Sequence, residues 1–286
     1  MTFAETLLLA AVAGFTIYLG LPLARMQMSA RIRVVIAMFS VGILAFLLVD
    51  VLGHGYEEAE GAVEAFGEDE GTLGHAVAMT MLLLGGFTIG SLGIGLLERK
   101  IRSKGSAGPP PIAGGATDAL TVEDAQRLDL ETGEAAKQAL RTGLFIAAAI
   151  GLHNFAEGLA IGVSAGTGEI ALATVLVVGF ALHNATEGFG IIGPLGSVQP
   201  SWSWLGLAGL IAGLPVVIGA SIGYGVDSEP LEILFFGLAG GAILFVIGEV
   251  WNGVRRYGHK ELGLLMLAAG FSAGILTDFV IAYAGG

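Results

Sequence analysis

Long, unbroken apolar runs constrain this chain more than any other feature of its sequence. Two of them, TVLVVGFALHNATEGFGII (174–192) and LGLAGLIAGLPVVIGASIGYGV (205–226), approach or exceed the roughly 20 apolar residues that cross a bilayer. Hydrophobic residues make up 54% of the chain and charged residues only 13%, against about 25% charged residues in soluble domains. The sequence therefore predicts an all-α, polytopic membrane protein.

Eight such runs follow one another along the 286 residues, and each predicts one transmembrane helix. No basic segment precedes the first run, which carries Glu5, so we interpret it as a spanning helix rather than a cleaved signal peptide. The chain is then a single eight-helix domain, 1–286, with one long polar loop at 100–138. Within that loop SKGSAGPPPIAGGA is typical of a linker, and TVEDAQRLDLETGEAAKQAL predicts a short amphipathic helix entering span four. The predicted spans lie near 3–23, 34–54, 73–97, 139–165, 169–193, 203–226, 230–253 and 261–284.

The 13 Lys and Arg residues are confined to the first, third and seventh connections or their flanks. These three connections lie on the same side of an eight-span protein. The positive-inside rule therefore places that side in the cytoplasm and both termini outside. We predict a multi-pass protein of the cell (inner or plasma) membrane.

The opposite face is acidic. The stretch GYEEAEGAVEAFGEDEG (55–71) has seven acidic residues and no basic one, and we interpret it as a solvated loop. Its charge would raise the local concentration of cations, and a net charge of −12 argues against a nucleic-acid partner. The absence of Cys removes disulfides and thiolate ligands.

The motif His-Asn-x-x-Glu-Gly occurs twice inside apolar runs, as HNFAEG (153–158) and HNATEG (183–188). Residues i and i+4 share a helix face, so His153 points with Glu157, and His183 points with Glu187. The short turn AGTGE makes the two spans antiparallel neighbours. Counting from this turn places both histidines at a depth of about 22 Å, facing each other, with Glu157 one turn outward and Glu187 one turn inward.

Two imidazoles and two carboxylates converging from adjacent helices match the ligands of a divalent transition metal. Asn154 and Asn184 add amide oxygens beside them. Without thiolates, the set favours Zn²⁺, Fe²⁺ or Mn²⁺ over Cu⁺. The alternative is a hydrogen-bonded polar seam that joins two helices. Two matched motifs favour a functional site, because ionisable residues within a membrane are costly.

The motifs HNFAEG and HNATEG on two consecutive central spans resemble the signatures of the ZIP (Zrt/Irt-like) metal transporters. The eight spans, the outer termini and the long loop after span three agree with this resemblance. It implies import of a divalent metal, namely zinc first, or iron, manganese or cadmium. It also implies an inverted repeat of spans one to three and six to eight, an elevator-like movement and a homodimer. The transport ligands that it implies are His153, Asn154, Glu157, His183, Asn184 and Glu187.

This chain departs from the family pattern at one position of each motif. The family often has Pro before the Glu, where this chain has Ala156 and Thr186. A Thr hydroxyl can bond a preceding carbonyl and bend its helix, whereas an Ala cannot. The departure therefore affects the geometry of the candidate ligands most in span four, which carries Ala156.

An acid deep in span seven suggests a second metal position. Glu249 lies near the inner third of that span, at a depth comparable to Glu187. We predict that Glu249 shares a more cytoplasmic metal position with Glu157, Glu187 and the two Asn residues. The alternative is an interfacial acid that reaches toward Arg255 and Arg256.

Three polar residues lie near the outer ends of spans two and eight, namely Asp50, His54 and Asp278. They could form an entrance that collects hydrated cations, or they could be ordinary interfacial residues. The sequence alone leaves both interpretations open.

The main functional prediction is a carrier that brings a divalent metal into the cytoplasm as its substrate, without a prosthetic group. A metal-selective channel is the nearest alternative, because the sequence does not reveal whether access alternates. An intramembrane metalloenzyme is a more distant one, since this chain has His-x-x-x-Glu where di-iron bundles have Glu-x-x-His and zinc proteases have His-Glu-x-x-His. The predicted partners are divalent cations, the lipid bilayer and a second copy of the chain.

Overall fold

The computed structural model of this chain describes residues 1–26, 28–103, 122–168, 170–196, 198–225, 228–255 and 257–283. Regular structure within these ranges is helical throughout. Short 3₁₀ segments, Thr16–Leu19 and Leu21–Arg25, follow the first helix, and a π-helical turn, Ile89–Gly93, joins the third helix to the fourth. The α-helices are α1 (Phe3–Phe15), α2 (Ala30–Gly67), α3 (Leu73–Thr88), α4 (Ile94–Ser103), α5 (Val122–Gly166), α6 (Ile170–Ile192), α7 (Trp202–Gly223), α8 (Glu229–Arg255) and α9 (Lys260–Tyr283).

Seven helical stretches of the described chain are long and apolar enough to cross a membrane, and they coincide with seven of the eight predicted spans. The remaining predicted span, the fifth, corresponds to α6. Its stretch Leu176–Ile192 is a shorter apolar helix. The prediction of an all-α, polytopic membrane protein is confirmed.

The first span is not one continuous α-helix. α1 ends at Phe15, and the chain continues to Arg25 in 3₁₀ turns. The Thr16 hydroxyl donates a hydrogen bond to the Ala13 carbonyl (2.7 Å), which supports the chain where the α-helix stops. Gly20 and Pro22 follow within a few residues and weaken a continued α-helix further.

The prediction that the acidic segment 55–71 is a loop is wrong for most of its length. α2 runs to Gly67, four turns beyond the predicted end of the span at 54. Small residues at helical spacing, including Ala59 and Ala62, are buried against Met79 and Ile233. This packing and the helix propensity of Ala and Glu extend the helix, while the acidic side chains stay on its exposed face.

The amphipathic helix predicted before span four is not a separate element. It forms the first part of α5, which runs without a break for 45 residues. The linker stretch SKGSAGPPPIAGGA lies outside the described residues except for Ser103.

The helices pack as two groups. One group, called the motif bundle, contains α1, α5, α6 and α7, and the other, called the flanking bundle, contains α2, α3, α8 and α9. Within the motif bundle, a Cβ atom on Gly158 would collide with the Val216 carbonyl oxygen, and within the flanking bundle one on Gly42 would collide with the Leu267 carbonyl oxygen. Between the bundles α5 packs on α8 and α2 packs on α6, and the glycines there have more room: a Cβ atom on Gly193 would lie 3.5 Å from the nearest side-chain atom of α2. Helices thus meet backbone to backbone within each bundle and through side chains between them.

Candidate metal site

The two sequence motifs lie in the centre of the motif bundle, on α5 and α6. The two helices are joined by a turn in which Gly168 has φ +90°, a conformation that favours glycine. Five of the six motif side chains are buried, each at most 4% exposed, namely His153, Asn154, Glu157, Asn184 and Glu187. The sixth residue, His183, is part of α6, but its side chain lies outside the described part of the chain.

Side-chain contacts connect the motif on α5 with the motif on α6. His153 Nε2 lies 2.8 Å from Glu157 Oε1 on its own helix and 3.8 Å from Glu187 Oε1 on α6. The Asn184 amide donates a weak hydrogen bond (3.4 Å) to Glu157 Oε2. The structure therefore brings both carboxylates, one imidazole and an amide into a single buried cluster.

Counting residues from the turn placed His153 opposite His183. The His183 side chain lies outside the described part of the chain, so this pairing stays a prediction. His153 contacts Glu187, one turn further along α6, which the predicted register allows because side chains tilt toward the N-terminus of each helix. The prediction that residues 153 and 157 share a face is confirmed by the contact between them.

Each motif Asn is held by a main-chain carbonyl of a neighbouring helix. Asn154 Nδ2 donates to the Ala212 carbonyl of α7 (3.0 Å), and Asn184 Nδ2 donates to the Ala13 carbonyl of α1 (3.2 Å). The amide oxygens of both Asn residues are buried and have no hydrogen-bond partner among the described residues. An unpaired buried acceptor costs about 1–3 kcal/mol, so two such oxygens beside two carboxylates are atoms that a ligand could satisfy.

Carboxylate, imidazole and amide oxygens are donors that Zn²⁺, Fe²⁺ and Mn²⁺ accept, so the residues fit a divalent transition metal. In the described part of the chain, no group of three or more His, Asp or Glu side chains is arranged so that it could hold a metal ion as it stands. The carboxylates contact His153 and Asn184 instead. A bound cation would have to replace these contacts with coordination bonds.

Glu249 lies half-buried on α8 in the flanking bundle. The side chains of Arg255 and Arg256, its alternative partners, lie outside the described residues. Its place in a second metal position stays a prediction.

The structure brings the three candidate entrance residues near one another. Asp50 and Asp278 line a cavity of about 150 Å³ that reaches Thr186, the residue before Glu187. Asp50 Oδ1 lies 3.9 Å from Nδ1 of His54, one turn further along α2. Their role as an entrance stays a prediction.

Two polar residues near this region were not singled out from the sequence. His54 lines a neighbouring cavity of about 260 Å³ together with Ser164 of α5 and Glu232 of α8, and this cavity reaches Ala156, the residue before Glu157. A signal for Glu232 was available, because an acid in an apolar run just inside a span boundary is costly. Ser164 has no such signal, since Ser is common in transmembrane helices.

A third cavity, of about 490 Å³, lies beside the acidic segment of α2. Glu57, Glu58 and Glu70 line it, and His75 of α3 reaches across it to Glu229 of α8 (Nε2–Oε1 3.4 Å). The sequence suggested little for His75, because its partner lies more than 150 positions away in the chain.

The fold and the site together define a class, namely polytopic membrane proteins with a cluster of carboxylate, imidazole and amide side chains buried among their helices. Comparison with known proteins identifies the family. The family model described as ZIP zinc transporter matches residues 103–248, about half of the chain. This chain belongs to the ZIP family, which consists of transporters and not of enzymes.

Individual relatives agree with this assignment. The chain is 30% identical over 167 residues to the zinc transporter ZIPB of Bordetella bronchiseptica, covering 56% of this chain and 52% of that protein. It is 34% identical over 139 residues to the zinc transporter ZupT of Clostridium perfringens, covering 47% and 48%. The chain thus spans about half the length of these relatives. It is 26% identical over 214 residues to the ZupT of Corynebacterium aurimucosum, covering 73% and 74%. The family match includes both motifs but not Asp50, His54, Glu249 or Asp278.

Proposed function

We propose that this protein carries a divalent transition metal, zinc first, across the cell membrane into the cytoplasm. The ligands proposed are His153, Asn154, Glu157, His183, Asn184 and Glu187. The observation that carries the proposal is the pair of buried Asn amide oxygens, unpartnered among the described residues, beside two buried carboxylates. Iron, manganese and cadmium are further substrates that the same donor set would accept.

The charge of the site favours divalent ions. When both are ionised, Glu157 and Glu187 carry two negative charges, and a divalent cation balances them. The loaded site would then be close to neutral, which lowers the cost of placing it in the interior of a membrane. A monovalent cation would leave one buried charge uncompensated.

The packing supports a carrier rather than a channel. The proposed ligands lie in the motif bundle, whose helices meet backbone to backbone, whereas the contacts with the flanking bundle are wider. A bundle packed in this way can move as a unit with the cation inside it. We propose alternating access by movement of the motif bundle. The remaining parts of the proposal are that both termini lie outside, that Glu249 belongs to a second metal position and that the chain assembles as a homodimer.

The experiment that tests this function is metal influx into proteoliposomes that contain a trapped fluorescent indicator. Wild type is compared with His183→Ala/Glu187→Ala for Zn²⁺, Cd²⁺, Fe²⁺ and Mn²⁺. We expect saturable influx in wild type and none in the double variant. Glu261→Gln, which changes an exposed acid in the first turn of α9, is the control and should transport like wild type. Equal flux in wild type and the double variant would contradict the proposal.

A further inference from the structure

The carbonyls that hold the two Asn residues lie at equivalent places in two different helices. Ala13-Gly14-Phe15-Thr16 of the first span matches Ala212-Gly213-Leu214-Pro215 of α7 in both its small residues and its position. The helices touch at these glycines, since a Cβ atom on Gly213 would lie 2.6 Å from the Gly14 carbonyl oxygen. In each helix the carbonyl that accepts the Asn amide belongs to the residue just before the contacting glycine.

In both cases main-chain hydrogen bonding of the α-helix is interrupted three residues after the accepting Ala, although α7 stays helical through Pro215. In α7 this residue is Pro215, which has no N–H group and therefore leaves the Ile211 carbonyl without its helical partner. A proline also bends a helix and opens the carbonyls of the preceding turn to other donors. α5 lies against this opened turn, because Gly151 packs on the Ile211 carbonyl and Asn154 bonds to the next carbonyl.

In the first span, carbonyls are left without α-helical partners because the α-helix ends. α1 stops at Phe15, so the carbonyls of its last turn have no α-helical partners. Thr16, the residue equivalent to Pro215, donates its hydroxyl to the Ala13 carbonyl (2.7 Å), and Asn184 donates to the same oxygen (3.2 Å). The Ala13 carbonyl thus binds both its own chain and the transport site.

We propose that Pro215 and Thr16 are positioning residues of the transport site. Each interrupts its helix so that the Ala carbonyl three residues earlier holds the Nδ2 group of one motif Asn, which presents Oδ1 to the metal. The proposal rests on the proposed function of the motif residues as metal ligands. It explains why the Asn residues keep unpartnered oxygens: their amide N–H groups donate to carbonyls of two helices that carry no proposed ligand and, in the case of Asn184, also to Glu157.

The test restores the missing main-chain hydrogen bond in α7. Pro215→Ala supplies the missing N–H group, favours a straight helix and withdraws the carbonyls from α5. We expect the KM for Zn²⁺ influx and the dissociation constant for Zn²⁺ in nanodiscs to rise about tenfold, as on loss of an outer-shell partner of a metal ligand. The absorption spectrum of bound Co²⁺ should change, because one amide oxygen leaves the coordination sphere. Pro230→Ala, in the first turn of α8, is the matched control and should leave all three measurements unchanged.

A double-mutant cycle separates positioning from a general structural role. If Pro215 acts through Asn154, then Pro215→Ala should have less than a twofold effect on Zn²⁺ affinity in an Asn154→Ala background. Multiplicative effects of the two changes, or unchanged Zn²⁺ affinity in Pro215→Ala, would overturn the proposal.

The other half of the site gives a second, independent variant. Thr16→Val keeps the shape of the side chain and removes its hydroxyl donor, and we expect about a fivefold loss of Zn²⁺ affinity that disappears in an Asn184→Ala background. If Pro215→Ala cannot be purified, this cycle decides the proposal by the same criteria. Failure of wild type to bind or transport any metal would instead contradict the proposed function.

Discussion

The interior of the motif bundle and the boundary between the two bundles are built differently. Inside the bundle, α5 and α7 approach until glycine Cα atoms lie against carbonyl oxygens, and the space is filled by main chain. At the boundary, α8 faces α5 and α2 faces α6, and three cavities of about 150, 260 and 20 Å³ open there. Tight main-chain packing resists sliding, whereas loosely packed side chains tolerate it. The transport movement that we propose would therefore take place at the boundary and leave the geometry of the proposed ligands intact.

The largest expected effect comes from locking that boundary. Ser40 of α2 and Gly190 of α6 face each other, since a Cβ atom on Gly190 would lie 3.3 Å from Ser40 Oγ. Because the chain contains no Cys, Ser40→Cys/Gly190→Cys introduces a single pair within disulfide reach. We expect oxidation to abolish Zn²⁺ influx and reduction to restore it. The two single-Cys variants, treated with the same oxidant, are the controls.

This cross-link also distinguishes a carrier from a channel. A carrier must move its motif bundle past the flanking bundle and stops when the two are joined. Undiminished influx through the oxidised, fully cross-linked protein would show that no such movement is needed and would favour the channel.

A smaller effect is expected from adding one methyl group, either inside the motif bundle or at the boundary between the bundles. Gly158→Ala places a Cβ atom against the Val216 carbonyl within the motif bundle, and we expect it to lower the free energy of unfolding by about 1–3 kcal/mol. Gly193→Ala makes the same change at the boundary, where 3.5 Å are available, and should stay within about 0.5 kcal/mol of wild type. Thermal unfolding in detergent micelles measures both. Equal destabilisation by the two variants would contradict the claim that the motif bundle is packed more tightly than the boundary.

The smallest effect is expected from the charges that line the boundary cavity. Asp50→Asn and Asp278→Asn each remove one charge from its wall. If these carboxylates only collect cations, the KM for Zn²⁺ should rise about threefold at low salt, the maximal rate should stay unchanged, and the difference should shrink as ionic strength increases. A fall in the maximal rate without a change in KM would place these residues in the transport step instead.

The spans and the motif face could be predicted because both depend on local sequence. Apolar run length identifies a membrane helix regardless of its neighbours, and helical spacing puts His153 and Glu157 on one face in any α-helix. For the same reason, the residue types on the motif face of each helix could be predicted without a structure.

The features that were missed or wrong depend on contacts between distant segments. α2 continues to Gly67 because Ala59 and Ala62 pack against residues of α3 and α8. The first span leaves its α-helix after Phe15, next to Gly188 of α6, which packs so closely that a Cβ atom on it would lie 2.7 Å from the Ile17 carbonyl oxygen, a contact that the local sequence does not contain. The distance between the His153 and Glu187 side chains likewise depends on how the two helices cross, which the local sequence does not determine.

Helix α5 is much longer than the segment that carries the motif. At about 1.5 Å per residue, 45 residues span roughly 68 Å, more than twice the thickness of the hydrocarbon core. The motif lies in the apolar half of this helix, and the polar half continues it without a break. If the motif bundle moves as we propose, a displacement of the proposed ligands is transmitted along α5 to its N-terminal end. A probe attached at that end would then report the position of the proposed metal site without contacting it.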